Sequence, residues 1–146
     1  MERAEVVASL ILSAHALARI AAQDAGNEAP SAQWRVLSIL EDSAPVRIGD
    51  LARTARTTQP GTTRLVGELE RAGLVTRSSD PDDSRATLAS ITDAGRQALA
   101  DWRIELRITL APRFVDVSDD DWLALERAAE LLRTHSIERP MTGEME

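Results

Sequence analysis

Five arginines, at positions 53, 56, 64, 71 and 77, fall in a stretch whose only acids are Glu68 and Glu70. A guanidinium is a planar fork of donors that matches a phosphate or the edge of guanine, so the chemistry open to this cluster is anion recognition. A second feature follows closely. In Ser78-Ser79-Asp80-Pro81-Asp82-Asp83-Ser84-Arg85, one cation closes a run of acids and turn formers. Asp and Pro suffice to make the turn, because Pro fixes φ and Asp side chains accept nearby backbone amides. Arg85 is not needed for it. The competing readings are plain ones: a solvated helix face for the cluster, and a counter-ion to Asp82 or Asp83 for Arg85. That every Lys or Arg in the chain is Arg also fits a GC-rich genome.

Other chemistries lack their parts. The sequence has no Cys, which excludes a thiolate zinc site, a disulfide framework and a thiol redox switch within it. Its two His, at 15 and 135, lie near opposite ends, which leaves little for a metal cluster or a Ser-His-Asp relay. No enzyme activity, metal or cofactor is expected. The 146 residues suit one domain. No apolar run is expected to reach the ~18 residues that span a bilayer, and acids flank Arg3 at the N-terminus, so the expectation is a cytoplasmic protein without a membrane partner.

The formal charge of −7 opposes a nucleic-acid partner until its distribution is considered. Residues 1–46 hold three Arg against six acids, and residues 97–146 six Arg against eleven. Residues 47–96 reverse the balance, with eight Arg against seven acids.

The elements that must position these arginines are mostly helical. Residues 4–22 carry Val6, Val7, Leu10, Ile11, Leu12, Leu17 and Ile20 around most of a helix circumference, which calls for cover on several sides and hence a partner subunit. After the breaker Gln23–Ser31, with Ser31 as a cap, a second helix bears Trp34, Leu37, Ile39 and Leu40. A short third helix surrounds Ile48, Leu51 and Ala52. Thr58 then caps a fourth, Pro60 suits its first turn, and Thr62, Leu65, Val66 and Leu69 share its inner face. Gly73 stops that helix, and residues 74–77 and 86–91 read as the strands of a hairpin. Thr92 opens a helix with Leu99, Trp102, Leu106 and Leu110 at near-helical spacing, and Ser118 opens a last one, with acids in its first turn and an apolar face of Trp122, Leu125, Ala128, Ala129 and Leu132; this last third should close a dimer. The fold class expected is mainly α with a small β-hairpin wing, a winged helix-turn-helix.

Residues 31–96 resemble the DNA-binding region of the multiple-antibiotic-resistance regulator (MarR) family, and the flanking helices match that family's layout. The resemblance rests on Leu51-Ala52, on TTRLVGELERAGLVTR, and above all on the wing, where Asp83-Ser84-Arg85 and Ile91-Thr92-Asp93-Ala94-Gly95 fit the family's Asp-x-Arg and Leu-Thr-x-x-Gly with one conservative change. It implies one domain over 1–146, with a DNA-binding lobe at 31–96 and a helical dimerisation region at 1–30 and 97–146. It also implies a homodimer on a pseudo-palindromic double-stranded site. Arg85 would enter a narrow minor groove, with Asp83 holding its guanidinium. Thr58, Gln59, Thr63 and Arg64 would face the major groove from the recognition helix, and Arg53, Arg56 and Arg77 would contact phosphates.

Family members often take small aromatic or anionic effectors, for which His15, Trp34, Trp102 and Arg103 are the candidates here. The plainer reading makes both Trp core residues, His15 a buried or rim residue and Arg103 surface. Lack of Cys excludes the peroxide-sensing branch that uses a thiol. The function expected is a homodimeric, sequence-specific repressor released by an effector. The alternative is a winged-helix protein-interaction module without specific DNA binding, which the acidic total favours.

Overall fold

The computed structural model describes residues 1–27 and 29–136, so the last ten positions of the expected dimerisation segment lie outside the described residues. The chain divides into two compact units, Met1–Ala111 and Pro112–Glu146. In the first, α1 (Arg3–Asp24) and α2 (Ser31–Ser43) lead to a two-residue strand β1 (Val46–Arg47), then α3 (Ile48–Thr54) and α4 (Gln59–Arg71). The hairpin β2 (Val75–Ser79) and β3 (Thr87–Ile91) follows, and then α5 (Asp93–Leu110). The architecture is the expected winged helix-turn-helix, with one strand more than the sequence suggested. β1 pairs antiparallel with β3, setting Val46 opposite Ala89 and Arg47 opposite Leu88, so β3 is the middle of three strands. Two residues are too few to show a strand's alternation in a sequence, and pairing alone reveals them. A smaller difference concerns α2, whose N-cap is Pro30 and whose first helical residue is Ser31.

One core holds the lobe together. Trp34, Val36, Leu37 and Leu40 from α2, Ile48 and Leu51 from α3, and Val66 and Leu69 from α4 meet Val75, Ala89, Ile91 and Leu99. α5 is locked to the hairpin at its first turn. Thr92 accepts the Gly95 amide on its hydroxyl oxygen at 3.0 Å and donates that hydroxyl to the Gly73 carbonyl at 2.7 Å, while its own amide donates to the Leu74 carbonyl at 3.0 Å. Gly95 sits so close to Leu74 that a Cβ would fall 2.2 Å from that carbonyl oxygen. Thr-x-x-Gly is therefore a packing motif as well as a cap.

α1 packs along α5, and Asn27 just beyond it donates to Glu105 at 2.9 Å. Only Ala21 of α1 is buried, and Val6, Val7, Ile11 and Leu12 are exposed. By length and composition α1 could cross a bilayer, which corrects the expectation that no segment was apolar enough. The uninterrupted run is short, but His15 and Arg19 are too few to offset the aliphatic and alanine residues around them.

In the second unit, α6 (Asp119–His135) is capped by Ser118, whose hydroxyl oxygen accepts the Asp121 amide at 3.2 Å. Phe114 and Trp122 pack with ring centroids 6.0 Å apart. Leu123, Leu125 and Leu131 of α6 are exposed.

Candidate nucleic-acid interface

Between α3 and α4 the chain turns through Arg56, whose φ is +53°. The Arg56 amide donates to the Arg53 carbonyl at 3.1 Å and the Thr57 amide to the Ala52 carbonyl at 3.0 Å. This is the bonding that commonly stops a helix at glycine, done here by an arginine. The turn presents the start of α4. There the Thr58 hydroxyl oxygen accepts the Gly61 amide at 3.2 Å, and Pro60 fills a first-turn position whose amide would have no intrahelical partner. Thr62 is buried, its hydroxyl donating to the Thr58 carbonyl at 2.9 Å, in keeping with a place on the inner face. Gln59, Thr63 and Arg64 are exposed.

The wing is shaped by two carboxylates. Asp80, only 8% exposed, accepts the Asp82 amide at 2.9 Å and Arg47 at 2.7 Å and 2.5 Å. The Asp82 amide first, and Arg47 after it, hold the Asp80 carboxyl below the usual range despite its desolvation. Asp83 accepts the backbone amide of Arg85 at 3.0 Å. The Arg85 guanidinium lies 3.7 Å from the same oxygen, outside hydrogen-bond distance, and its side chain is 93% exposed. Asp83 therefore fixes the turn under Arg85 and leaves the guanidinium extended. The expected grip of the carboxylate on the guanidinium is replaced by a bond to the backbone amide.

Residues of β1, α3, α4 and the wing line an open cleft of about 410 Å³. Six of the nine residues proposed for DNA line it: Arg53, Gln59, Thr63, Arg77, Asp83 and Arg85. Arg64 lines a separate groove of about 250 Å³ with Arg35 and Glu68. Thr58 caps the helix, and Arg56 sits at the turn; neither lines the cleft. Two further charged lining residues are not among those expected from the sequence: Arg47, which reaches the cleft from β1, and Asp50. The one available signal was the outward position of Arg47 between Val46 and Ile48. Arg53 pairs with Asp50 one helical turn away, and Arg77 donates to Glu70 at 2.8 Å and 3.1 Å. Hydrogen bonding from Arg77 holds the Glu70 carboxyl below its usual range, and Glu70 in turn raises the Arg77 guanidinium.

The effector candidates lie elsewhere. Trp34, 9% exposed, belongs to the core and stacks on the half-buried Trp102 with centroids 5.1 Å apart and planes 9° from parallel. Arg103 pairs with Glu41 at 3.0 Å, and His15 is exposed on α1. None of the four lines either groove.

The profile of the MarR family matches residues 30–86, the stretch that builds this interface. A probable transcriptional regulator from Pseudomonas aeruginosa is 30% identical, with 84% of this chain and 92% of that one covered and a TM-score of 0.61. This chain belongs to the MarR family. The homoprotocatechuate degradative operon repressor of Escherichia coli is 36% identical over 64 residues, 44% of this chain and 43% of the repressor. The chain thus matches less than half the length of that curated relative. Bordetella bronchiseptica BpsR, whose structure describes regulation of DNA binding by 6-hydroxynicotinic acid, shares the fold at 22% identity and a TM-score of 0.64, with 91% of this chain and 99% of BpsR covered.

Proposed function

We propose that this MarR-family transcriptional regulator is a homodimeric, cytoplasmic repressor that binds a pseudo-palindromic double-stranded site and is released by a small aromatic or anionic effector. The observation that carries the DNA reading is the cleft, where side chains from α3, α4 and the wing converge although they are far apart in sequence. Gln59 and Thr63, one turn apart on α4, offer base-reading groups, and Arg85 projects from the wing tip as a minor-groove probe would. Repression is suggested by the Escherichia coli relative, and the effector by BpsR. The exposed aliphatic residues of α1 support a partner subunit, since a lone apolar face in water invites cover. We read α1 as that interface and not as a membrane span, because it packs on α5 and its C-terminal loop is bonded to Glu105.

The experiment is selection of duplexes from a random pool, followed by fluorescence anisotropy over a salt series. Enrichment of a two-fold symmetric site and a steep fall of log K with log salt are expected, ~0.9 per phosphate neutralised. The acidic total charge favours the alternative, a protein-interaction module. No enrichment together with a flat salt response would decide for it.

A further inference from the structure

Each of the four arginines lining the cleft is already matched by a carboxylate of the same chain. Arg47 is bound to Asp80 at 2.5 Å and Arg77 to Glu70 at 2.8 Å, Arg53 pairs with Asp50, and Arg85 lies 3.7 Å from Asp83. Four cations that would otherwise form a strongly positive groove therefore leave it close to neutral. We propose that Asp50 and Glu70 are built-in competitors for phosphate, pairing with the Arg53 and Arg77 guanidinium groups so that sequence-independent binding to DNA is held down. The inference rests on the DNA-binding reading above and adds a regulatory role to residues outside it.

The four acids are not equivalent. Asp80 and Asp83 also accept wing amides, from Asp82 and Arg85, so they build the loop that carries Arg85. Asp50 and Glu70 stand apart from the loop. Asp50 is a half-exposed side chain whose partner is Arg53 one turn along α3, and Glu70 reaches from α4 to the side chain and amide of Arg77 on β2. A phosphate that takes the same donors, the Nε–Nη2 edge of Arg77 or the Nη2 of Arg53, has to displace a carboxylate to do so. The displaced carboxylate then stays beside the phosphate as a like charge. Counterion release gained by the new contact is offset by the lost pair, so these two arginines add little to sequence-independent affinity. Pairs this open to solvent, with the Arg53 side chain 79% and the Arg77 side chain 40% exposed, are suited to the task, since they are weak enough to exchange and still formed before DNA arrives.

The test is binding of a short random-sequence duplex, by fluorescence anisotropy over a salt series, to the full chain and to Asp50→Asn, Glu70→Gln and the double variant. Both amides keep an acceptor oxygen and remove the charge, and thermal unfolding followed by circular dichroism confirms that each variant is folded. Asp101→Asn on α5, which lies outside the cleft, removes one charge as the control. At ~0.1 M salt each cleft variant should bind about fivefold to tenfold tighter, with the log-log slope steeper by ~0.9 for each arginine freed. The control should leave both unchanged. Equal tightening by Asp101→Asn would overturn the proposal in favour of the whole-molecule charge. Weaker or unaltered binding by both cleft variants, with the unmutated chain still binding, would overturn it and leave the DNA-binding reading intact. Failure of every folded variant to bind any duplex would remove both.

Discussion

At the scale of single residues, the wing separates a structural carboxylate from an exposed reader. Asp83 is tied to the backbone of Arg85, while the guanidinium stands free of hydrogen bonding to it and 93% of the side chain is in solvent. Removing such a side chain should not disturb folding. Arg85→Ala is expected to weaken binding to the selected duplex by roughly 1–3 kcal/mol, with the larger loss where the flank is A·T-rich and its minor groove narrow. Arg85→Lys should recover only part of this, since an ammonium is more strongly hydrated than a guanidinium and costs more to strip in a confined groove. Anisotropy on duplexes with A·T-rich and G·C-rich flanks checks both variants. Equal losses on the two flanks would make Arg85 a phosphate contact. Asp83→Ala should act differently, loosening the turn and so raising the cost of ordering Arg85 on binding.

At the scale of elements, two glycines face opposite constraints. Gly95 opens α5 against the Leu74 carbonyl, and a Cβ there would meet that backbone oxygen at 2.2 Å and the Ile91 Cγ1 at 2.7 Å. The obstacle is mainly backbone, which has no rotamer to yield. Gly95→Ala should therefore destabilise the chain by ~3 kcal/mol or more, the upper range of overpacking. Gly67, inside α4, would place a Cβ with nothing within 4 Å. Gly67→Ala should stabilise by up to ~1 kcal/mol, the usual advantage of Ala over Gly in a helix interior. Urea unfolding of the two variants measures both signs, and a tolerated Gly95→Ala would show that α5 can slide away from β2.

At the scale of the whole molecule, the unsatisfied surface is apolar. Val7, Ile11 and Leu12 on α1 and Ile104 and Ile108 on α5 are all exposed in the single chain. Leu12 is 69% exposed there, so Leu12→Asp should leave the subunit's own fold in place. If a second copy covers α1, the same change buries an unpaired charge and should convert a dimer to a monomer. Light scattering after size exclusion reads the mass directly. An unchanged dimer with Leu12→Asp would place the interface elsewhere. Leu10, half-buried within the subunit, is a poorer test because its replacement would also strain the subunit itself.

What the sequence determined by itself was local. The caps at Thr58, Thr92 and Ser118, the left-handed stop at Gly73 and the inward face of Thr62, Leu65, Val66 and Leu69 all follow from residues within a turn or two of one another. Side-chain period and turn chemistry act over that range, so they can be read in order along the chain. The wing motif was legible for the same reason, its turn being made by Asp80, Pro81 and Asp83. Tertiary structure decided what no short window contains. It supplied β1 by pairing it with β3, brought Arg47 onto Asp80 thirty-three positions away, and set the Gly95 Cα against Leu74. It also decided which arginines share a cleft, gathering Arg53, Arg77 and Arg85 and turning Arg64 to another groove. A charge count along the sequence sums arginines and acids without their distances. Whether Arg77 is offered to a phosphate or is already held by Glu70 depends on the packing of α4 against β2, because an ion pair depends on separation in space.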